Sequence, residues 1–138
     1  MKKGYTTGVF DLFHIGHLNI IRRAKEMCDY LIVGVSTDEL VKSYKNKTPI
    51  IPYEERRSIV ESIKYVDEVV QQSSLDKIAA QALYKFDVMF HGDDWENNPL
   101  YQETTEKFNE IGVEIVLFPY TVGTASTLLS EVLYKALL

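Results

Sequence analysis

Apolar and polar positions along the chain repeat with two periods, one typical of strands and one typical of helices. Five nearly uniform apolar runs predict buried strands, namely GYTTGVF, YLIVGVS, DEVVQ, DVMFHG and VEIVLFPY. Between them, apolar residues recur at helical spacing, as Leu75, Ile78 and Ala82 do, so that each helix has one apolar face. Helices are predicted at residues 18–28, 59–63, 75–83, 101–111 and 128–137.

The alternation of these strands and helices predicts an α/β protein. Strands that are apolar on both faces are typical of a parallel sheet covered by helices on each side. We therefore expect a Rossmann-like, doubly wound, five-stranded parallel sheet with right-handed crossovers, in a single domain spanning residues 1–138. The longest segment without a predicted element, residues 38–52, is expected to be a mobile surface loop.

Composition narrows the classes of ligand and partner. The chain has 138 residues with 20 acidic and 15 basic side chains, so its net field repels extended nucleic acids and any anion site has to be a local positive pocket. Cys28 is the only cysteine, which excludes an internal disulfide and a cysteine-rich zinc cluster. No apolar run approaches the roughly 20 residues that cross a bilayer, and we expect a cytoplasmic protein without a membrane partner.

Two histidines lie where the first strand ends, in the sequence TGVFDLFHIGH. If a helix begins near Gly16, its first N–H groups point at the space that His14 and His17 also face, and an anion such as phosphate would satisfy them together. A zinc site formed by Asp11, His14 and His17 is the other functional interpretation. It is disfavoured because nothing nearby completes a tetrahedral set of ligands.

Further polar side chains follow the other predicted strands. Lys45 and Lys47 lie in the expected loop, where they either fold over bound phosphates or are simply solvated. Asp94, in HGDDW, follows a buried strand, and a carboxylate in that position is often only a helix cap. His91, in the same motif, is expected to be structural.

The HIGH motif after TGVFD resembles the one shared by nucleotidyltransferases of the cytidylyltransferase type and by class I aminoacyl-tRNA synthetases. The synthetases need a second, lysine-rich motif and a tRNA-binding region, and the chain shows neither. Similarity to the glycerol-3-phosphate cytidylyltransferases extends along nearly the whole chain. It is carried by TGVFDLFHIGHLNIIRRAK, YLIVGVSTDE, YEERRSIVESIKYVDEV and HGDDWE, in that order.

This resemblance implies transfer of CMP from CTP to a small phosphorylated alcohol, with glycerol 3-phosphate as the leading acceptor and pyrophosphate as the second product. It also implies Mg²⁺ accompanying the triphosphate, no metal site on the protein itself, and a homodimer formed through the YVDEVV region. Two alternatives stay open. One is an ATP-dependent adenylyltransferase of the same superfamily with another phosphorylated acceptor, and the other is a nucleotide-binding module without turnover.

The resemblance also assigns roles to individual residues. The catalytic residues are expected to be His14, His17, Lys45 and Lys47. The nucleotide-binding residues are expected to be Thr7, Gly8, Val9, Phe10, Asp94, Thr121, Gly123, Ala125, Ser126 and Thr127. The acceptor-binding residues are expected to be Asp11, Arg56, Lys64 and Trp95.

Two positions depart from the family pattern. Tyr120 stands where the family has an arginine, and Lys64 stands where it commonly has another. A tyrosine hydroxyl can hydrogen-bond a phosphate but carries no charge at neutral pH. The loss predicts a slower transfer or a different acceptor, unless Lys42 or Lys64 compensates.

Overall fold

The computed structural model describes the backbone of residues 1–119 and 126–137 and the side chains of residues 1–119 and 129–136. The strands are β1 (Lys3–Gly8), β2 (Tyr30–Ser36), β3 (Glu68–Gln72), β4 (Val88–Gly92) and β5 (Glu114–Phe118). The helices are α1 (Ile15–Glu26), α2 (Asp38–Lys45), α3 (Tyr53–Glu61), α4 (Lys77–Tyr84), α5 (Tyr101–Ile111) and α6 (Ser126–Leu137). A short 3₁₀ helix, Asp93–Asn97, follows β4.

The five strands form one parallel sheet in the order β3-β2-β1-β4-β5, which confirms the predicted Rossmann-like α/β fold. The chain winds outwards from β1 to β3 and then returns to place β4 on the other side of β1. The winding direction therefore reverses between β1 and β4. A crevice opens at such a reversal, outside the carboxyl ends of the strands, and ligands of open α/β sheets bind there.

Two apolar cores cover the two faces of the sheet. On the face covered by α1, here called the α1 face, Ile21 packs with Val33 and Phe90. On the opposite face, here called the α4 face, Tyr5 and Met89 are packed in the second core. Successive strand residues alternate between these faces, so the polar residues at the strand ends are also divided between them.

The segment after β2 differs from the expected loop, because residues 38–45 form α2. The Thr37 side chain caps this helix by accepting a hydrogen bond of 3.0 Å from the Leu40 N–H. Acidic Asp38 lies in the first turn, and Asn46 ends the helix in the left-handed conformation with φ of 56°. The prediction of a loop was wrong for these residues. Thr37 followed by an acidic turn is a usual helix start, and the prediction gave more weight to the lysines and prolines of the segment.

Within the described ranges, no helix combines the length and the apolar content needed to span a membrane.

Candidate functional site

A cavity of about 310 Å³ opens at the carboxyl ends of the strands, at the reversal between β1 and β4. Most of the residues predicted from the sequence to bind or act on the ligand line it. These are Thr7, Gly8, Val9, Phe10, Asp11, His14, His17, Lys45, Lys47 and Asp94. The fold therefore brings together predicted side chains from the end of β1, the start of α1, the end of α2 and the turn after β4.

His14 and His17 form a reciprocal cap at the start of α1. Nδ1 of His14 accepts a hydrogen bond of 3.0 Å from the Gly16 N–H, and Nδ1 of His17 accepts one of 3.2 Å from the His14 N–H. The two rings stack with centroids 4.0 Å apart. Because both Nδ1 atoms are acceptors, the hydrogen of each neutral ring is on Nε2, and each ring can donate from that atom.

The histidines are neutral donors at neutral pH. Burial, with smaller contributions from His14 and Lys45, lowers the pKa of His17 to about 3. Burial also lowers the pKa of His14. The positive charge on this side of the cavity comes from Lys45 and Lys47, and burial together with the Lys47 ammonium lowers the pKa of Lys45. An anion held here would meet neutral N–H groups at the helix start and charged ammonium groups above them.

The turn between β1 and α1 is strained. Phe10 and Leu12 have φ of 55° and 50°, a conformation that costs L-residues on the order of 1–2 kcal/mol each. Burial of the Phe10 ring in the core holds the turn in place. That ring lies across Gly8, where an added Cβ would meet it at 2.9 Å, so only glycine fits below it.

Asp11, between the two strained residues, holds the segment that carries the second lysine. Its carboxylate accepts hydrogen bonds of 2.8 Å and 2.9 Å from the Ile50 and Ile51 N–H groups. The side chain was predicted to bind the acceptor. These contacts fix the segment of residues 46–52, which includes Lys47, against the β1–α1 turn, and since Asp11 also lines the cavity, its contact with the acceptor stays a prediction.

Arg56 is buried and does not face the cavity, in contrast to its predicted role as an acceptor-phosphate ligand. Its side chain is 0% exposed, and Nη1 donates to the carbonyl oxygens of Val9 and Ser36 at 2.7 Å and 2.8 Å. Nε donates to the Ile51 carbonyl at 2.8 Å, and Nη2 contacts Asp38 at 2.5 Å. The guanidinium thus joins β1, β2, α2 and α3 below the site, which sequence spacing alone could not reveal.

Trp95 and Lys64 also lie away from the cavity. Trp95 is 4% exposed and packs in the core of the α4 face. It therefore has no surface with which to contact an acceptor, in contrast to its predicted role. Lys64 is exposed in the turn after α3, with its ammonium 5.2 Å from the centre of the Tyr65 ring. Neither residue lines the cavity.

The last predicted motif falls mostly outside the described residues. Thr121, Gly123 and Ala125 lie outside them, as does Tyr120. The backbone of α6 begins at Ser126, but the side chains of Ser126 and Thr127 are not described. Their expected contacts with the nucleotide stay predictions.

The structure also shows a buried cation, Lys77, behind the cavity wall. Its side chain, in the first turn of α4, is 6% exposed, and its ammonium donates a hydrogen bond of 2.5 Å to the hydroxyl of Thr7, which lines the cavity although Lys77 itself does not. No carboxylate of the described residues lies within ion-pair distance of it. Burial lowers the pKa of Lys77 to about 8, so the group is still charged at neutral pH. The only signal in the sequence was a lysine shortly after a predicted strand.

His91, Ser130 and Tyr134 also line the cavity without having been assigned to it. His91 was expected to be structural, whereas its ring forms part of the cavity wall at the end of β4. Ser130 and Tyr134 come from α6, far along the chain from the other lining residues. An isolated serine and tyrosine on a helix carry no sequence signal of their own, because only the packing of α6 brings them to the cavity.

Comparison with known proteins gives consistent results. A family model described as cytidylyltransferase-like matches residues 5–135. The chain is 38% identical over 132 residues to the glycerol-3-phosphate cytidylyltransferase of Bacillus subtilis (strain 168), covering 95% of this chain and 96% of that protein. It is also 38% identical over 117 residues to the FAD synthase of Pyrococcus abyssi (strain GE5 / Orsay), covering 82% of this chain and 77% of that protein.

A solved structure shares the fold. The lipopolysaccharide core biosynthesis protein from Thermoplasma volcanium GSS1 superimposes with a TM-score of 0.74 at 26% identity, over 90% of this chain and 99% of that chain. The similarity therefore extends over nearly the whole fold.

Proposed function

We propose that this chain, which belongs to the cytidylyltransferase-like family, transfers CMP from CTP to a small phosphorylated alcohol, forming a CDP-alcohol and pyrophosphate. It is a nucleotidyltransferase, and glycerol 3-phosphate is the first acceptor to test because a relative that matches almost the whole chain is named for it. The observation that carries the proposal is the stacked pair His14 and His17 at the start of α1, facing the same cavity as Lys45 and Lys47.

On the α1 side of the cavity, the triphosphate would meet donors that suit it. The Nε2–H groups of His14 and His17 and the N–H groups around Gly8 are uncharged, while Lys45 and Lys47 supply charge. Fixed donors and lysines together stabilise an anion without needing to reorganise during the reaction. Asp94, exposed at the cavity wall, is available to the nucleoside.

On the α4 side, the buried Lys77 ammonium below Thr7 would attract the phosphate of the acceptor. A buried cation without a carboxylate partner is costly, and an incoming anion removes that cost. The two anionic substrates would therefore approach the end of β1 from its two sides. This arrangement suits a reaction whose main difficulty is holding two anions together.

The proposed reaction is an in-line displacement at the α-phosphorus of CTP. An oxygen of the acceptor phosphate forms the new P–O bond, while the bond to the β-phosphate breaks and pyrophosphate leaves with its electron pair. The acceptor phosphate is already ionised, so no residue has to remove a proton from it. The side chains of the cavity bind, orient and neutralise charge, and no covalent intermediate with the protein is needed.

Mg²⁺ would enter with the triphosphate. Among the described residues there is no group of three or more histidine, cysteine or carboxylate side chains placed to hold a metal ion. This donor set fits an ion bound mainly by phosphate oxygens and water, which is how Mg²⁺ commonly binds at nucleotide sites, and the Asp94 carboxylate in the cavity wall could add one ligand. When bound, the ion neutralises the charge that develops on the pyrophosphate.

We also propose a homodimer. In the described sheet β3 is an edge strand, and Ile59 on the adjacent α3 is 42% exposed. The apolar residues of YVDEVV, the region expected to form the dimer, pack against the two cores, so the case for a dimer depends on the strand edge and Ile59. Light scattering decides between a monomer and a dimer. The cytoplasmic location expected from the sequence stays a prediction.

A pyrophosphate-release assay with each of the four nucleoside triphosphates and a set of phospho-alcohols tests the proposed function. Turnover with CTP and glycerol 3-phosphate is the expected result. The FAD synthase relative favours a second candidate, an adenylyltransferase, and turnover with ATP alone would establish it instead. Calorimetry that shows CTP binding without pyrophosphate release for any acceptor would identify a binding module.

Replacing His17 by alanine tests the site itself. Nε2 of His17 would stabilise charge on the triphosphate most strongly in the transition state. We therefore expect kcat to fall by about a hundredfold or more, as for the loss of one such donor, with a smaller rise in KM for CTP. Unchanged turnover in His17→Ala would contradict the role assigned to the helix start.

A further inference from the structure

His91, at the end of β4, lines the cavity but has no part in the proposed binding of either phosphate. Its ring stacks on Trp95 with centroids 5.6 Å apart and planes inclined by 30°. The ring of Tyr101 meets Trp95 edge-on from another side, at 5.2 Å. Packing of this kind fixes the orientation of the imidazole, as a binding group requires.

The hydrogen bonds of His91 determine what its ring can offer to a ligand. Nδ1 lies 3.2 Å from the Gly92 carbonyl oxygen, and since a carbonyl only accepts, Nδ1 carries the hydrogen. Burial, with the nearby Lys77 ammonium, lowers the pKa of His91, so the ring is neutral at neutral pH. Nε2 then has a free lone pair. No described residue donates a hydrogen bond to that lone pair. Nε2 is also not among the fully buried side-chain atoms that lack a partner.

The sheet register places this lone pair on the α4 side of the cavity. Thr6 on β1 is paired with Phe90 on β4, so Thr7 and His91 follow them on neighbouring strands and on the same face. The Lys77 ammonium contacts Thr7 on that face. His91 therefore lies on the same face of the sheet as the Lys77 ammonium, which is proposed to hold the acceptor phosphate and whose charge acts on the His91 ring.

We propose that Nε2 of His91 accepts a hydrogen bond from a hydroxyl group of the acceptor, and that the residue thereby selects phosphorylated polyols over phosphate esters without a hydroxyl. The inference rests on the proposed reaction. An ammonium and a lone pair on the same side of the sheet match a ligand that carries a phosphate and a hydrogen-bond donor. The amino group of cytosine is the competing donor, because Asp94, which is assigned to the nucleoside, also acts on the pKa of His91, and a comparison of CTP with UTP separates the two donors.

The test compares glycerol 3-phosphate with n-propyl phosphate, which has the same chain length and no hydroxyl, using CTP as the donor. The wild type should prefer glycerol 3-phosphate in kcat/KM. In His91→Phe, which keeps a ring on Trp95 and removes the lone pair, this preference should shrink by about three- to tenfold. His91→Gln, whose amide oxygen can accept, should retain part of the preference.

Tyr101→Leu is the matched control, because it removes the other aromatic ring that packs on Trp95 and leaves His91 in place. A structural effect of that kind should lower kcat/KM equally for both acceptors and leave the ratio of the two values as in the wild type. An equal loss for both acceptors in His91→Phe would overturn the inference. A change in the preference for CTP over UTP, which lacks the amino group, with an unchanged acceptor ratio would assign His91 to the base and also overturn it.

The inference and the proposed function can fail separately. If the wild type turns over no phosphorylated alcohol, the proposed reaction is wrong. The two esters are then compared by calorimetry in the wild type and in His91→Phe. A stronger binding of glycerol 3-phosphate that depends on His91 would support the inference in that case, and equal binding of the two esters would overturn it.

Discussion

The Tyr134 hydroxyl donates a hydrogen bond of 2.7 Å to the carbonyl oxygen of Thr48, across 86 positions of the chain. Tyr134 lies on α6 and Thr48 in the segment that follows α2, next to Lys47, and both residues line the cavity. The last helix is thereby tied to the lysine segment over the proposed triphosphate site. Loss of this bond should change the position of the lysine segment and leave the histidines of α1 in place.

Tyr134→Phe is therefore expected to loosen the segment of residues 46–52. A neutral hydrogen bond contributes about 1 kcal/mol, so KM for CTP should rise by about threefold to tenfold while kcat changes less. Hydrogen exchange at the amides around Lys47 and Thr48 should become faster. Val132→Ala on the same helix, at a position 57% exposed, is the control and should change neither quantity. Unaltered exchange in Tyr134→Phe would show that the bond does not hold the segment.

The adjacent arginines Arg56 and Arg57 should differ sharply in their effect on stability. Arg56 is fully buried with four protein contacts, whereas Arg57 is partly exposed and donates to Glu61 at 2.7 Å, to the Tyr53 hydroxyl at 3.0 Å and to the Val69 carbonyl at 3.2 Å. Arg56→Lys should lower the free energy of unfolding by about 3 kcal/mol or more, because a lysine cannot satisfy the three carbonyls and Asp38 together. Arg57→Lys should cost less than about 1 kcal/mol. Denaturant unfolding measures both, and similar losses would contradict the structural role of Arg56.

The burial of His17 should make the stability of the protein depend on pH in the acid range. Its pKa is about 3 when folded and 6.5 in the ordinary state, so between these values the unfolded chain binds a proton that the folded chain does not. Stability is then lost as the pH falls below 6.5, by up to about 1.4 kcal/mol per pH unit for one group. In His17→Asn, which can still accept the His14 N–H, this loss should be shallower. Parallel curves for the two proteins from pH 7 to 4 would show that His17 titrates normally.

Lys77 should govern the affinity for the acceptor. A charged hydrogen bond contributes about 1.5 to 3 kcal/mol, so Lys77→Met should raise KM for the acceptor about ten- to a hundredfold. In the wild type this KM should also rise as the pH passes about 8, where the ammonium loses its proton. Lys64→Met, at an exposed position outside the cavity, is the control. A larger effect of Lys64→Met than of Lys77→Met would favour Lys64 as the acceptor ligand.

The burial of Lys77 can be checked without any substrate. Its folded pKa of about 8 lies below the ordinary value of 10.5, so between these pH values the unfolded chain binds the extra proton. Wild-type stability should therefore increase with pH across this window relative to Lys77→Met. The absence of such a difference would mean that the ammonium is more hydrated than its surroundings suggest.

The sequence by itself determined the fold and the centre of the site. Apolar strands alternating with amphipathic helices allow few arrangements other than a helix-covered parallel sheet, and in such a sheet the strand ends meet. Local spacing was enough for His14 and His17, because a cap and the third helical residue are adjacent by geometry. The structure placed both, with Lys45, Lys47 and Asp94, around one cavity as expected.

Only the tertiary structure decided which other polar residues reach that cavity. Arg56 and Lys77 are both basic residues in the first turns of helices, yet the first is enclosed by carbonyls and the second lies below Thr7. Trp95 turned inwards and His91 faces the cavity, although only four positions separate them. Which way such a side chain points depends on the packing of elements distant in sequence, and no local period or spacing encodes that packing.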